Sequence, residues 1–223
     1  MNPKPNRQLK KLVIGPMKIT GPEWSFIKNT NWDSLAIIDG GEIHLPKLKL
    51  SVNRDIFSKK RHFGDGDSSL TSPHFLKKDQ NISDLSFYLD NINSLCPHTS
   101  FAFFGFLGGR IDHQLFNFGS WLQALDKLCK VHKAKNLQFF VGSDIIILSK
   151  GIFNLKPKGP FSLLVIKPCS VKLQGLCQYP LNSWTHLKTL DSRTLSNQSH
   201  GEISLATKGS LILYAKNLLR DHL

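Results

Sequence analysis

Short apolar runs alternate with amphipathic stretches up to about residue 135, and beyond that point only β-rich runs remain. This change of texture limits the chain to an α/β part followed by an all-β part. In the first part LKKLVIG (9–15) and LAIID (35–39) read as short buried strands, each running into a glycine or polar turn, with the character of a parallel sheet. SDLSFYLDNINSL (83–95) places Leu85, Leu89 and Ile92 at helical spacing, with Asp84 in the first turn, where the helix dipole favours a negative charge. TSFAFFGF (99–106) is another strand-like run, and 112–130 repeats Leu115, Phe118, Leu122, Leu125 and Cys129 on one helical face. The second part offers NLQFFVG, SDIIILS, FSLLVIKP, EISLATKG and SLILYAK between Gly, Pro, Asn and Lys clusters, the pattern of a small antiparallel domain. We therefore expect residues 1–8 to be disordered, an α/β domain with a mainly parallel sheet over 9–135, and an all-β domain over 136–223.

A chain of 223 residues with 40% hydrophobic content can bury a real core. It has no apolar stretch long enough to cross a bilayer, and MNPKPNRQLKK lacks the apolar run and cleavage site of a signal peptide. The expectation is a soluble, cytoplasmic protein with no membrane partner. Cys96, Cys129, Cys169 and Cys177 form no C-x-x-C pair and have no histidines at zinc-ligand spacing, which argues against disulfides and structural zinc. The net charge of +13 raises the possibility of a nucleic-acid partner, but it is unevenly spread. Residues 1–62 carry 12 basic and 5 acidic side chains, 63–126 carry 3 and 7, and 127–223 carry 14 and 4. An acidic centre gains nothing from a polyanion, whereas a site holding a divalent cation among phosphates needs one.

Three motifs carry the chemistry. GDGDSS (64–69) would, if extended, point Asp65 and Asp67 to one face. Two carboxylates about 4 Å apart repel by roughly 4 kcal/mol at an effective dielectric of 20, so they call for a cation, and magnesium prefers such hard oxygen ligands. A plain surface turn is the competing reading for this motif alone. KDQNISD (78–84) sets Asp79 and Asp84 around a helix start, and GGRIDH (108–113) joins an apolar strand to a long helix. There the glycines permit close backbone approach, Arg110 can grip phosphate oxygens with its planar fork, and Asp112 lies beside a helix N-terminus, although for this motif alone a turn with Asp112 as N-cap is the better reading. DGG (39–41) adds Asp39 to the same carboxyl edge, where open α/β sheets bind ligands. No G-x-x-x-x-G-K-[ST], protein-kinase signature or G-x-G-x-x-G is present, which removes the commonest phosphate-binding solutions.

The order DGG, GDGDS, DQNISD, GGRIDH, then GLCQYPL (175–181) and Ser196–Asn197, resembles the thiamine pyrophosphokinase family through nearly the whole chain. The resemblance implies an N-terminal α/β domain for nucleotide and magnesium, a C-terminal β-sandwich, and a homodimer with thiamine between subunits. It also implies the transfer of diphosphate from ATP to thiamine, with AMP released. It assigns Asp65, Asp67 and Asp84 to magnesium and catalysis together with Arg110 and Asp112. Asp39, Gly40, Ser68, Asp79, Gly109 and His113 fall beside the nucleotide, and Tyr179, Ser196 and Asn197 beside thiamine. Three places depart from the usual pattern: Gly66, Asn81, and the pair Glu42 and Ile43. The alternatives are a diphosphokinase for another hydroxymethyl heterocycle, or a catalytically weakened relative that binds nucleotide or nucleic acid.

Overall fold

A computed structural model describes residues 9–92, 99–216 and 218. The expected disorder of residues 1–8, the end of the helix predicted over 83–95, and Cys96 lie outside the described residues. The chain forms two compact units, Met1–Trp121 and Leu122–Leu223.

The first unit is built on parallel strands. β1 (Leu9–Ile14) leads through α1 (Gly21–Asn29) to β2 (Ser34–Ile38), then a 3-10 turn (Asp39–His44), α2 (Leu45–Ser51) and the single turn α3 (Asp55–Ser58). β3 (Arg61–Gly64), the two-residue β4 (Phe75–Leu76), α4 (Asp84–Asn91), β5 (Thr99–Phe104) and α5 (Ile111–Val131) follow. The strand order is β5-β1-β2-β3-β4 and every pairing is parallel, with Val13 opposite both Phe103 and Ala36. Buried runs such as Leu12–Ile14 and Phe101–Phe104 are what a parallel sheet covered on both faces requires. α4 buries Leu85, Leu89 and Ile92 as their spacing predicts. On α5 the predicted stripe holds for Leu122, Leu125 and Cys129, but Leu115 is 63% exposed, because the buried face begins at Trp121 and the preceding turns run over the surface.

α1 is absent from the periodicity reading. Its start is fixed locally: Thr20 and Glu23 form a capping box, with the Glu23 carboxylate accepting from the Thr20 amide at 2.6 Å. In α4 the Ser83 hydroxyl caps the helix by accepting from the Ser86 amide at 3.1 Å, which sets the direction of Asp84 in the first turn.

The second unit holds β6 (Gln138–Val141), β7 (Ile145–Leu148), β8 (Gly151–Leu155), β9 (Gly159–Leu164), β10 (Cys169–Cys177), β11 (Leu181–Leu187), β12 (Asn197–Thr207) and β13 (Leu211–Ala215). All its pairings are antiparallel, in the order β11-β10-β12-β9-β13-β7-β6. β12 changes partner along its length, from β9 at Asn197–Ser199 to β8 at Ile203–Thr207, while keeping β10 on its other side.

Candidate active site

The site-bearing segments of the first unit leave the carboxyl ends of the parallel strands. Asp39 follows β2 with φ of 49°, a left-handed conformation that aspartate adopts more readily than most residues. Gly40 packs on the turn after β3: a Cβ there would lie 3.3 Å from the Ser68 carbonyl oxygen, so DGG and GDGDS meet through this glycine. Asp65 and Asp67 are not extended neighbours. A turn brings them together, with the Asp67 amide donating to Asp65 Oδ1 at 3.2 Å and Gly66 at φ of 88°. That φ explains Gly66, since a side chain there would be strained. Ser68 donates to Asp67 at 2.9 Å. Ligand oxygens of Asp39, Asp65 and Asp67 all lie within 4.8 Å of one another, close enough to share one ion.

Asp39 Oδ1 is buried with no hydrogen-bond partner among the described residues. Burial above all, with the nearby charges of Asp67 and Asp65, holds the Asp39 carboxyl above its ordinary value. An unpartnered oxygen in a mutually repelling set of hard ligands fits a divalent cation such as magnesium.

Asp84 stands apart from that trio and faces a residue the sequence did not single out. The Lys77 ammonium is 3.4 Å from Asp84 Oδ1 and 3.3 Å from Asp65 Oδ2, and donates to the Ile82 carbonyl oxygen at 2.9 Å. Lys77 is only 6% exposed. Burial works to lower its pKa, but Asp84 and Asp65 outweigh that and hold it above the ordinary lysine value. Asp84 is raised, by burial first, with Lys77 pulling the other way. In a KK pair nothing in the sequence distinguishes Lys77 from its exposed neighbour Lys78.

Glu42 is also buried, at 4% exposure. It accepts from the hydroxyl of Thr71 and, at 3.0 Å, from its amide, and lies 3.5 Å from His62 Nδ1. Burial opposes its charge, and Thr71 and His62 outweigh burial, so its carboxyl is held below the ordinary value. His62 is fully buried, with Nε2 3.0 Å from the Asp39 carbonyl oxygen and 3.2 Å from Ser69 Oγ. Glu42 and His62 thus tie the Asp39 turn to the loop after β3. The departure at Glu42 is an internal brace.

A cavity of about 340 Å³ brings Asp39, Asp84, Gly109, Arg110 and His113 to one wall system, with Met17, Ser83, Phe106 and Asn117, which the sequence reading missed. Gly108 and Gly109 have φ of 95° and 70°, so the turn into α5 depends on both. Arg110 is exposed and pairs with Asp112, Nε to Oδ1 at 3.1 Å, and this bond holds the Asp112 carboxyl below its ordinary range. Asp79 is exposed and accepts from the Asn81 amide at 2.8 Å, closing the turn before α4.

In the second unit Asn197, 2% exposed, accepts from the Tyr179 amide at 3.0 Å and donates to its carbonyl at 2.7 Å. The Tyr179 side chain is 56% exposed, and the Ser196 amide donates to Ser162 Oγ at 2.9 Å. Asn197 therefore sets the backbone that presents Tyr179.

No protein-family model matches the chain, and no curated protein matches it. Solved structures do. The thiamine pyrophosphokinase of Bacillus subtilis is 21% identical with a TM-score of 0.67, covering 94% of this chain and all of that one. The thiamin pyrophosphokinase of Geobacillus thermodenitrificans is 16% identical with a TM-score of 0.68, over 93% and 97%. The yeast enzyme is 17% identical with a TM-score of 0.64, over 98% and 90%. The chain has the thiamine pyrophosphokinase fold. The fold thus agrees with these structures over nearly the whole length, although identity is low. In this thiamine pyrophosphokinase fold the DGG, GDGDS and GGRIDH segments all leave strand ends of the first unit. No helix among the described residues is long and apolar enough to cross a membrane.

Proposed function

We propose that the chain is a thiamine diphosphokinase, using ATP and magnesium to convert thiamine into thiamine diphosphate with release of AMP. The observation that carries this reading is the trio Asp39, Asp65 and Asp67 beside a cavity walled by Arg110 and paired glycines, on a thiamine pyrophosphokinase fold. Bound magnesium would supply positive charge to the phosphate oxygens and help orient them. Asp39, Asp65 and Asp67 are its ligands, an assignment that exchanges Asp84 for Asp39 relative to the motif resemblance. Arg110, already planar and bidentate on Asp112, transfers its grip to phosphate oxygens when nucleotide enters. Gly40, Ser68, Asp79, Gly109 and His113 surround the nucleotide. The acceptor hydroxyl attacks the β-phosphorus, the bond from that phosphorus to the α–β bridging oxygen breaks, AMP leaves with that oxygen, and an aspartate takes the hydroxyl proton.

Thiamine is held by the second unit, folded as a β-sandwich in a homodimer, with Tyr179 offering a ring face and Asn197 and Ser196 fixing the strand beneath it. The deciding experiment incubates the chain with ATP, magnesium and thiamine and follows products by chromatography. AMP and thiamine diphosphate in equal amounts are expected. ADP with a monophosphorylated product would overturn the reaction type, and turnover only with another hydroxymethyl heterocycle would overturn the acceptor. Asp65→Asn and Asp67→Asn should each lower turnover by roughly 100-fold or more, since removing a transition-state charge contact of about 3 kcal/mol has that effect.

A further inference from the structure

Lys77 is placed by backbone before its side chain acts. It follows β4, and its amide donates to the Gly64 carbonyl oxygen at 2.8 Å, which brings its side chain beside Asp65 at the end of β3. The ammonium donates to Ile82 O at 2.9 Å and stands in ion-pair range of two carboxylates, 3.3 Å from Asp65 Oδ2 and 3.4 Å from Asp84 Oδ1. A charge buried to this degree persists only when paired, and each pairing here also fixes its position.

The cluster then consists of four carboxylates and one ammonium. Asp65 is shared: its Oδ2 faces Lys77 and its Oδ1 receives the Asp67 amide, while Asp39 Oδ1 is buried and unpartnered on the other side. A divalent ion between Asp65 and Asp84 would have to sit where the ammonium sits, and like charges at such range repel strongly. With one divalent ion on Asp39, Asp65 and Asp67, the cluster keeps one net negative charge; a second ion would make it positive before any phosphate arrived.

We infer that Lys77 is a resident cation of the carboxylate cluster, holding the position between Asp65 and Asp84 and limiting the chain, without nucleotide, to one divalent ion on the Asp39, Asp65 and Asp67 face. Lys77 is a positioning residue: it orients Asp65 toward the ion and neutralises Asp84. The inference rests on the reading of the cluster as a divalent-cation site and is independent of the acceptor.

The test is a titration of the whole chain with Mn²⁺ in the absence of nucleotide, with free ion followed by electron paramagnetic resonance. Wild type should bind one ion per chain. Lys77→Met, which keeps the length of the side chain and removes its charge, should bind a second ion or tighten the first at least tenfold. In case that variant fails to fold, as checked by circular dichroism, two others decide: Asp39→Asn should weaken the wild-type site at least tenfold and Asp84→Asn by less than threefold. Two ions of similar affinity in wild type, an isotherm unchanged in folded Lys77→Met, or a loss in Asp84→Asn as large as in Asp39→Asn would each overturn the inference. No bound Mn²⁺ in wild type would overturn the metal reading and this inference with it. A one-ion isotherm in a chain inactive on thiamine would count against the acceptor alone.

Discussion

Asp39 combines three properties that rarely coincide: a left-handed backbone, a buried unpartnered oxygen, and two other carboxylates within reach of the same ion. Its carboxyl is raised, by burial first, so in metal-free buffer the folded chain keeps a proton there that the unfolded chain has already released. That contribution to stability is complete below the ordinary aspartate value and is lost as pH rises through the raised one. Asp84 runs the same way, and Glu42 and Asp65 run oppositely, so the total curve mixes signs. The difference between wild type and Asp39→Asn isolates one group. Asparagine tolerates positive φ, so the variant should fold, and its melting temperature should gain on wild type by roughly 1–2 °C across that window, a small effect because the group is half-exposed and screened. Below the window the difference should be flat. At pH 7, magnesium should raise the melting temperature of wild type more than that of the variant, since only a ligand that binds the folded form stabilises it. Equal shifts on adding magnesium would remove Asp39 from the metal site.

At the scale of elements, what was legible in the sequence was what burial writes in apolar residues. β1, β2 and β5 each end in a continuous buried apolar run because their sheet is covered on both faces there, and β6, β7, β9 and β13 are largely apolar too. β8, β10 and β11 escaped because each carries exposed residues along its length, as in LNSWTHL, where Trp184 is 48% exposed and only Leu187 is fully buried. The site was readable for the same kind of reason where glycines and aspartates cluster, and unreadable where a lone Lys77, His62 or Glu42 depends on folding for its partner. Glycines at the strand ends give this scale its prediction. Gly15 and Gly105 end β1 and β5 so closely that a Cβ on either would lie 2.5 Å from the other's carbonyl oxygen, and Gly105 also has φ of 76°. Gly119, inside α5, has open space around it. Gly105→Ala should therefore destabilise the chain by about 2–3 kcal/mol, from overpacking and backbone strain, while Gly119→Ala should stabilise it by about 0.5–1 kcal/mol through helix propensity. Urea denaturation of the two variants checks both signs. A Gly105→Ala variant as stable as wild type would mean that the strand ends do not meet as described.

Across the whole molecule, β11 ends the strand order of the second unit, and one edge of it has no partner strand among the described residues. It is seven residues long, and Trp184 lies half-exposed on it, with Lys208 4.7 Å from the ring centroid. Near it in sequence, Leu176 and Tyr179 are 60% and 56% exposed. An edge strand of this length presents unpaired amides and carbonyls to any matching strand, and soluble monomers usually blunt such edges with a central charge, a bulge or a cover. β11 carries no charged side chain except the titratable His186, and although its register with β10 shifts between Thr185 and Leu181, we expect two copies to pair about this edge. Light scattering should then give about twice the 25.1 kDa chain mass at micromolar concentration. Trp184→Lys places a charge mid-edge, removes the ring above which Lys208 sits, and should shift the mass to that of one chain while leaving one Mn²⁺ bound per chain, because the carboxylate cluster is built entirely within the first unit. A wild-type mass of 25.1 kDa at every concentration would rule out the dimer, and a Trp184→Lys dimer as stable as wild type would move the interface away from β11.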